Sequence, residues 1–138
     1  MSVSSTDFLV SAQVSSQGPD EISLRNCVSR AYYSVYHAAL PVADAHCPDT
    51  NAHLRMGDHE RLSKRFRASA LPHAKGIGYV LEAMKAARHR ADYDIDAAVT
   101  AADAKQALAN ASAFSTYLAN MNSAIQAAAT SASQAGNP

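Results

Sequence analysis

The chain has 138 residues, enough for one domain with a real core, and 48% of them are hydrophobic, much of that share being alanine. Tryptophan is absent, glycine occurs five times, and no alternating run of β-branched residues is present, which argues against a sheet and for helices packed through small side chains. The formal net charge of zero conceals a basic middle: residues 55–90 carry nine Lys and Arg against Asp58, Glu60 and Glu82, between two acidic flanks.

Taken in order, residues 4–17 read as a first helix, with Ser5 or Thr6 as its cap and Phe8, Leu9 and Ala12 on one side. Gly18-Pro19 ends it and opens a second, from about Asp20 towards Ala45, in which Pro41 predicts a kink or break near Ala38–Leu40. Val28, Ala31, Tyr32, Val35, Ala38, Ala39 and Val42 form its core stripe. Arg30, Tyr33 and His37 share another face, the first and last ~10 Å apart along the axis. His46 to Met56 reads as a loop closed by Gly57. Asp58 is the expected N-cap of a short helix, His59 to Ala68, with Leu62, Phe66 and Ala70 inward and Arg61, Lys64, Arg65 and Arg67 outward. Those four cations either offer phosphate a surface or pair with the acidic flanks.

A fourth helix is expected from about His73 to Tyr93, with Ile77, Leu81, Met84, Arg88, Ala91 and Ile95 on one stripe. Arg88 stands where an apolar residue belongs and needs a partner, which Asp92 can be, four residues on. Thr100 to Asp103 resembles a capping box and opens a long last helix carrying Ala104, Ala107, Leu108, Ala111, Phe114, Leu118, Met121 and Ile125. Residues 126–138, rich in Ala and Ser, read as a flexible tail after a single domain over 1–125. The sum is an all-α, up-and-down bundle of four to five helices.

No apolar run approaches the roughly 18 residues of a membrane span, and the first residues lack the marks of a signal peptide. Cys27 and Cys47 have no metal spacing and read as reduced thiols, so a cytoplasmic protein is expected. Only three glutamates occur, none in Glu-x-x-His, and His59-Glu60 lacks the second histidine of a zinc protease. No glycine-rich phosphate loop and no Gly-x-Ser-x-Gly elbow are present, so neither metal nor cofactor is expected. The remaining chemistry is Arg30, Tyr33 and His37 on one helix with Arg88, His89, Arg90, Asp92 and Tyr93 on another. Such a set suits metal-free phosphodiester chemistry: a histidine takes a ribose 2′-OH proton while arginines hold the phosphate oxygens. The same residues also suit a satisfied helix–helix seam.

Ser29-Arg30-Ala31-Tyr32-Tyr33-Ser34-Val35-Tyr36-His37-Ala38-Ala39, then Gly57-Asp58-His59-Glu60-Arg61-Leu62, then Arg88-His89-Arg90-Ala91-Asp92-Tyr93-Asp94 before an Ala-rich helix, resembles the HEPN domain family. The likeness covers roughly residues 5–120, and is to small stand-alone prokaryotic members with an "SRAYYA-(aromatic)-HAA" helix and an "R-x-x-ADYD" helix end. It implies a helical bundle that forms a homodimer, often beside a nucleotidyltransferase-type partner in toxin–antitoxin or defence loci. Many members are metal-independent endoribonucleases that use an Arg-x(4–6)-His motif paired across the dimer. Their late "R-N-x-x-x-H-x-Y" segment is without its histidine here, whereas Arg30 to His37 fits Arg-x6-His on the earlier helix. The resemblance implies RNA binding, with Arg30, His37 and Arg88 as catalytic candidates and Tyr33, His89, Arg90, Asp92 and Tyr93 in support. The alternative it leaves is a non-catalytic accessory or scaffold protein.

Overall fold

The computed structural model describes residues 2–136, and five α-helices with no strand account for them. They are α1 (Ser5–Ser15), α2 (Glu21–His46), α3 (Asp58–Ala68), α4 (Ala74–Tyr93) and α5 (Ala101–Ala135). The expected all-α bundle is present, built around α2, which packs against each of the other four. Its buried side is the expected stripe, with Val28, Ala31, Tyr32, Val35 and Ala39 enclosed, and Cys27 and Ala43 added to it. Leu62 and Phe66 meet it from α3, Ile77, Leu81 and Met84 from α4, and Phe114, Leu118 and Met121 from α5. The core is assembled from few large side chains among many alanines, so the helices approach closely. Gly78 shows how closely: a Cβ there would lie 2.6 Å from Arg67 Cγ and 3.0 Å from the Ser63 carbonyl oxygen.

Several boundaries differ from the sequence expectation. Ser4, not Ser5 or Thr6, caps α1, because only Ser4 has an acid three residues on: its Oγ accepts from the Asp7 N–H while Asp7 Oδ2 accepts from the Ser4 N–H. Gly57 precedes α3, and Asp58 is its first helical residue rather than its cap, still placed to meet the positive helix end. Pro41 neither ends nor interrupts α2, which runs on to His46. Proline removes the partner of the His37 carbonyl, but both residues are exposed, so the loss does not strand a buried polar group. Ile95 leaves the α4 stripe and is 83% exposed, since the helix stops at Tyr93. Ala70 is likewise exposed, beyond the end of α3.

Helix α5 opens on the expected Thr100–Asp103 capping box, with both hydrogen bonds made. It then continues to Ala135, through most of the stretch expected to be a flexible tail. Alanine is the strongest helix former, so the run from Ala124 needs no tertiary anchor to hold helical backbone angles, and residues 126–136 are exposed. Residues 137 and 138 lie outside the described residues.

The basic face of α3 is spent on pairing. Arg61 meets Asp49 at 2.7 Å, Arg65 meets Asp44 at 3.0 Å, Arg67 meets Glu82 at 2.9 Å, and Lys64 lies 3.7 Å from Glu60. Arg61 also donates to the Asn51 and Leu54 carbonyls, and Arg65 Nε to that of Cys47, so these cations tie down the loop between α2 and α3. Of the two readings of the block, charge pairing is the one the structure supports.

Candidate functional site

Two successive turns of α2 place Tyr32, Tyr33, Tyr36 and His37 along one region of the helix, from fully buried Tyr32 to exposed His37. The first turn of α3 brings His59 to them, and the penultimate turn of α4 brings Arg88. Tyr32 Oη lies 2.7 Å from His59 Nδ1. The His59 ring also packs on Tyr36, centroids 4.5 Å apart, and on Tyr33, at 5.9 Å. His37 packs on the same tyrosines, 5.2 Å from Tyr36 and 6.3 Å from Tyr33, and stacks on Phe8 of α1 at 5.0 Å. The result is a continuous aromatic–imidazole cluster drawn from α1, α2 and α3.

Arg88 lies beneath it. Its guanidinium carbon is 5.5 Å from the Tyr32 ring centroid and 5.7 Å from those of Tyr33 and Tyr93, distances suited to cation–π attraction. The residue is only 7% exposed. Asp92, the expected partner, forms a long ion pair with Arg88 at 3.6 Å and accepts a hydrogen bond from Ser29 Oγ at 3.2 Å, while Arg88 Nε is buried with no hydrogen-bond partner. A guanidinium this enclosed is part of the packed seam and is poorly placed to meet a ligand directly.

The cluster's electrostatics follow from that burial. Desolvation pushes the Tyr32 phenol well above its ordinary range, against the opposing pull of Arg88, so it stays protonated. Burial likewise raises Tyr36, helped by Asp58 and Tyr33. His59 is held below its ordinary value, first by burial and then by the positive charges of Arg88 and Lys85, with His37 acting the same way and Asp58 opposing.

The residues singled out from the sequence are only partly brought together. Tyr33, His37, Arg88, Asp92 and Tyr93 belong to one connected cluster. Arg30 does not join Arg88: it is exposed on the α1 side, lining a shallow cavity with Val3, Asp7, Phe8 and Ser11. His89 is exposed and packs on Tyr93, at 4.9 Å, and Arg90 turns to the Ala98 carbonyl at 2.8 Å. The reason is helical geometry: positions 89 and 90 point about 100° and 200° away from Arg88.

Two residues of consequence were not singled out as site residues. His59 is the nearest titratable partner of the tyrosines, and its only sequence signal is its place in the Gly57-Asp58-His59-Glu60 segment. Arg25, 8% exposed, ties the end of α4 to the start of α2: its guanidinium donates to the Ala91 carbonyl at 2.9 Å and the Asp94 carbonyl at 3.0 Å, and to that of Ala97. Glu21 completes the knot, accepting from Arg25 at 3.1 Å and from the Val99 N–H at 2.8 Å, which holds its carboxyl below the usual range.

Both cysteines are buried free thiols. Among the described residues no group of three His, Cys, Asp or Glu side chains is placed to hold a metal ion, and no helix is long and apolar enough to cross a membrane. A partly enclosed cavity of about 210 Å³ lies between α2, α4 and α5, floored by Val28, Met84 and Ala107. Neither it nor the shallower cavities described are lined by His37, His59 or Arg88. No family model, curated protein or solved structure matches the chain.

Proposed function

We propose that this is a HEPN-like, cytoplasmic protein that works as a homodimer and binds RNA through the Tyr33–Tyr36–His37–His59 surface, in a toxin–antitoxin or defence setting. The observation that carries the reading is that surface itself: two imidazoles flanking two part-exposed tyrosines above a buried guanidinium. Aromatic faces stack on unpaired bases, and imidazole and guanidinium favour phosphate. The paired cations of α3 are a poorer footprint, because binding there would first break four ion pairs.

Metal-independent RNA cleavage is a second reading, favoured by two histidines packed on the same tyrosine, Tyr36, one of them exposed. In it His37 accepts the ribose 2′-OH proton. The burial of Arg88 and the separation of Arg30 favour instead an accessory protein, partnered by a nucleotidyltransferase-type enzyme, that binds without cutting. Incubating single-stranded RNA with the wild type and His37→Ala in EDTA separates these outcomes. Cleavage lost in the variant, with helicity and dimer mass unchanged, supports the nuclease. RNA retention without cleavage supports the accessory protein, and no RNA retention at all contradicts the RNA-binding proposal.

A further inference from the structure

We infer that the open side of the cluster is a subsite for one nucleotide of single-stranded RNA, with a phosphate oxygen on His59 Nε2–H and Lys85 and the base stacked on Tyr36; this rests on the RNA-binding reading above. The tautomer of His59 is the key. Tyr32 is 1% exposed, and the one hydrogen bond of its hydroxyl, among the described residues, is to His59 Nδ1 at 2.7 Å. A buried phenol must place its proton on an acceptor, so it donates to Nδ1, and the neutral ring then carries its own proton on Nε2. The imidazole is thereby fixed as a donor at the ring position opposite Tyr32, suited to an anionic oxygen.

Charge around that donor is positive on balance. Arg88 and Lys85 both act on the His59 ring, as does His37, with Asp58 the opposing carboxylate. Lys85 and Arg88 are three residues apart on α4 and so lie on one side of it. Lys85 is in no ion pair among the described residues, unlike the cations of α3. Asp92 is already engaged by Arg88 and Ser29. Beside the donor, Tyr36 is half-buried and flanked by the two imidazoles at 4.5 and 5.2 Å, a platform that fixes a ring without enclosing it. An open platform with an adjacent donor fits one unit of a polymer laid across it better than a small ligand, which would require a cavity.

The test is a binding titration of the full chain with a fluorescent eight-nucleotide oligouridine at low salt. His59→Ala is expected to weaken binding about tenfold, and His59→Gln, whose amide restores an N–H near the Nε2 position, to stay within about threefold of wild type. Tyr36→Ala is expected to cost about tenfold and Tyr36→Phe little, because stacking needs the ring and not the hydroxyl. Circular dichroism on each variant checks that the helices persist. Unchanged affinity in both alanine variants overturns the subsite while leaving RNA binding in place. Equal losses in His59→Ala and His59→Gln also overturn it, since the donor would then be irrelevant. No binding by the wild type overturns the subsite and the RNA-binding reading together.

Discussion

Replacing Arg88 by methionine and by alanine separates what its charge does from what its bulk does. The guanidinium makes three cation–π contacts at 5.5 to 5.7 Å, near the outer limit of about 6 Å, so each is at the weak end, about 0.5 kcal/mol. The Asp92 contact at 3.6 Å is long and Asp92 is partly hydrated, which leaves that pair at about 0.5 kcal/mol. Against these stands a buried Nε with no partner, a loss of about 1–3 kcal/mol. The charge therefore contributes close to nothing net, whereas the stem packing against Tyr32 contributes a core-like term. Arg88→Met, which keeps the stem, is expected to fall within about 1 kcal/mol of wild type in urea unfolding. Arg88→Ala, which leaves a void, is expected to lose about 2–4 kcal/mol. The two variants should also agree in raising the His59 pKa, because both remove a positive charge that depresses it. If methionine destabilises as much as alanine, the guanidinium is the anchor of the seam and this account of the cluster is wrong.

Three further outcomes follow from particular contacts. Arg25→Met removes the donors that gather the carbonyls at the end of α4, so it should cost about 3–5 kcal/mol and raise amide exchange in residues 91–99, read by hydrogen–deuterium exchange; uniform exchange would refute that role. Gly78→Ala forces a methyl against Arg67 and the Ser63 carbonyl, and should destabilise by about 1–3 kcal/mol in thermal unfolding despite alanine's better helix propensity. His59 has a lowered pKa when folded, so on acidification the unfolded chain takes up this proton first. Its stability contribution is thus full above the ordinary value near 6.5 and is lost as pH falls through the folded value. His59→Gln should flatten the wild type's loss of stability on acidification from about pH 7.5 to 5.5, and identical slopes would contradict it.

The sequence carried the helices and most of the core because periodicity is a local property. The Ile77, Leu81, Met84 stripe and the Phe114, Leu118, Met121 stripe are spelled out in consecutive turns, and both are buried. Arg88 was legible as an anomaly for the same reason: it interrupts a stripe. Ile95 was misplaced because its spacing continues that stripe while the helix does not. Arg25 was invisible, since its partners are backbone carbonyls 66 to 72 positions away and any residue supplies a carbonyl. His59 was missed because its bond to Tyr32 spans 27 positions across a loop. Arg30 and His37 were read as one face, but the packing of α1 treats them differently: Phe8 stacks on His37, which stays with the tyrosines, while Arg30 lines the shallow cavity beside α1 and stays apart from Arg88.

The central claim, that RNA meets the protein on the tyrosine–histidine surface, is tested most directly by ultraviolet crosslinking of the wild-type chain to oligouridine, followed by mass spectrometry of the modified peptides. The account predicts crosslinks at Tyr33, Tyr36 or His37 on α2 and at His59 on α3. Crosslinks confined to the outer face of α3 around Lys64 and Arg67, or to the exposed end of α5, would contradict it.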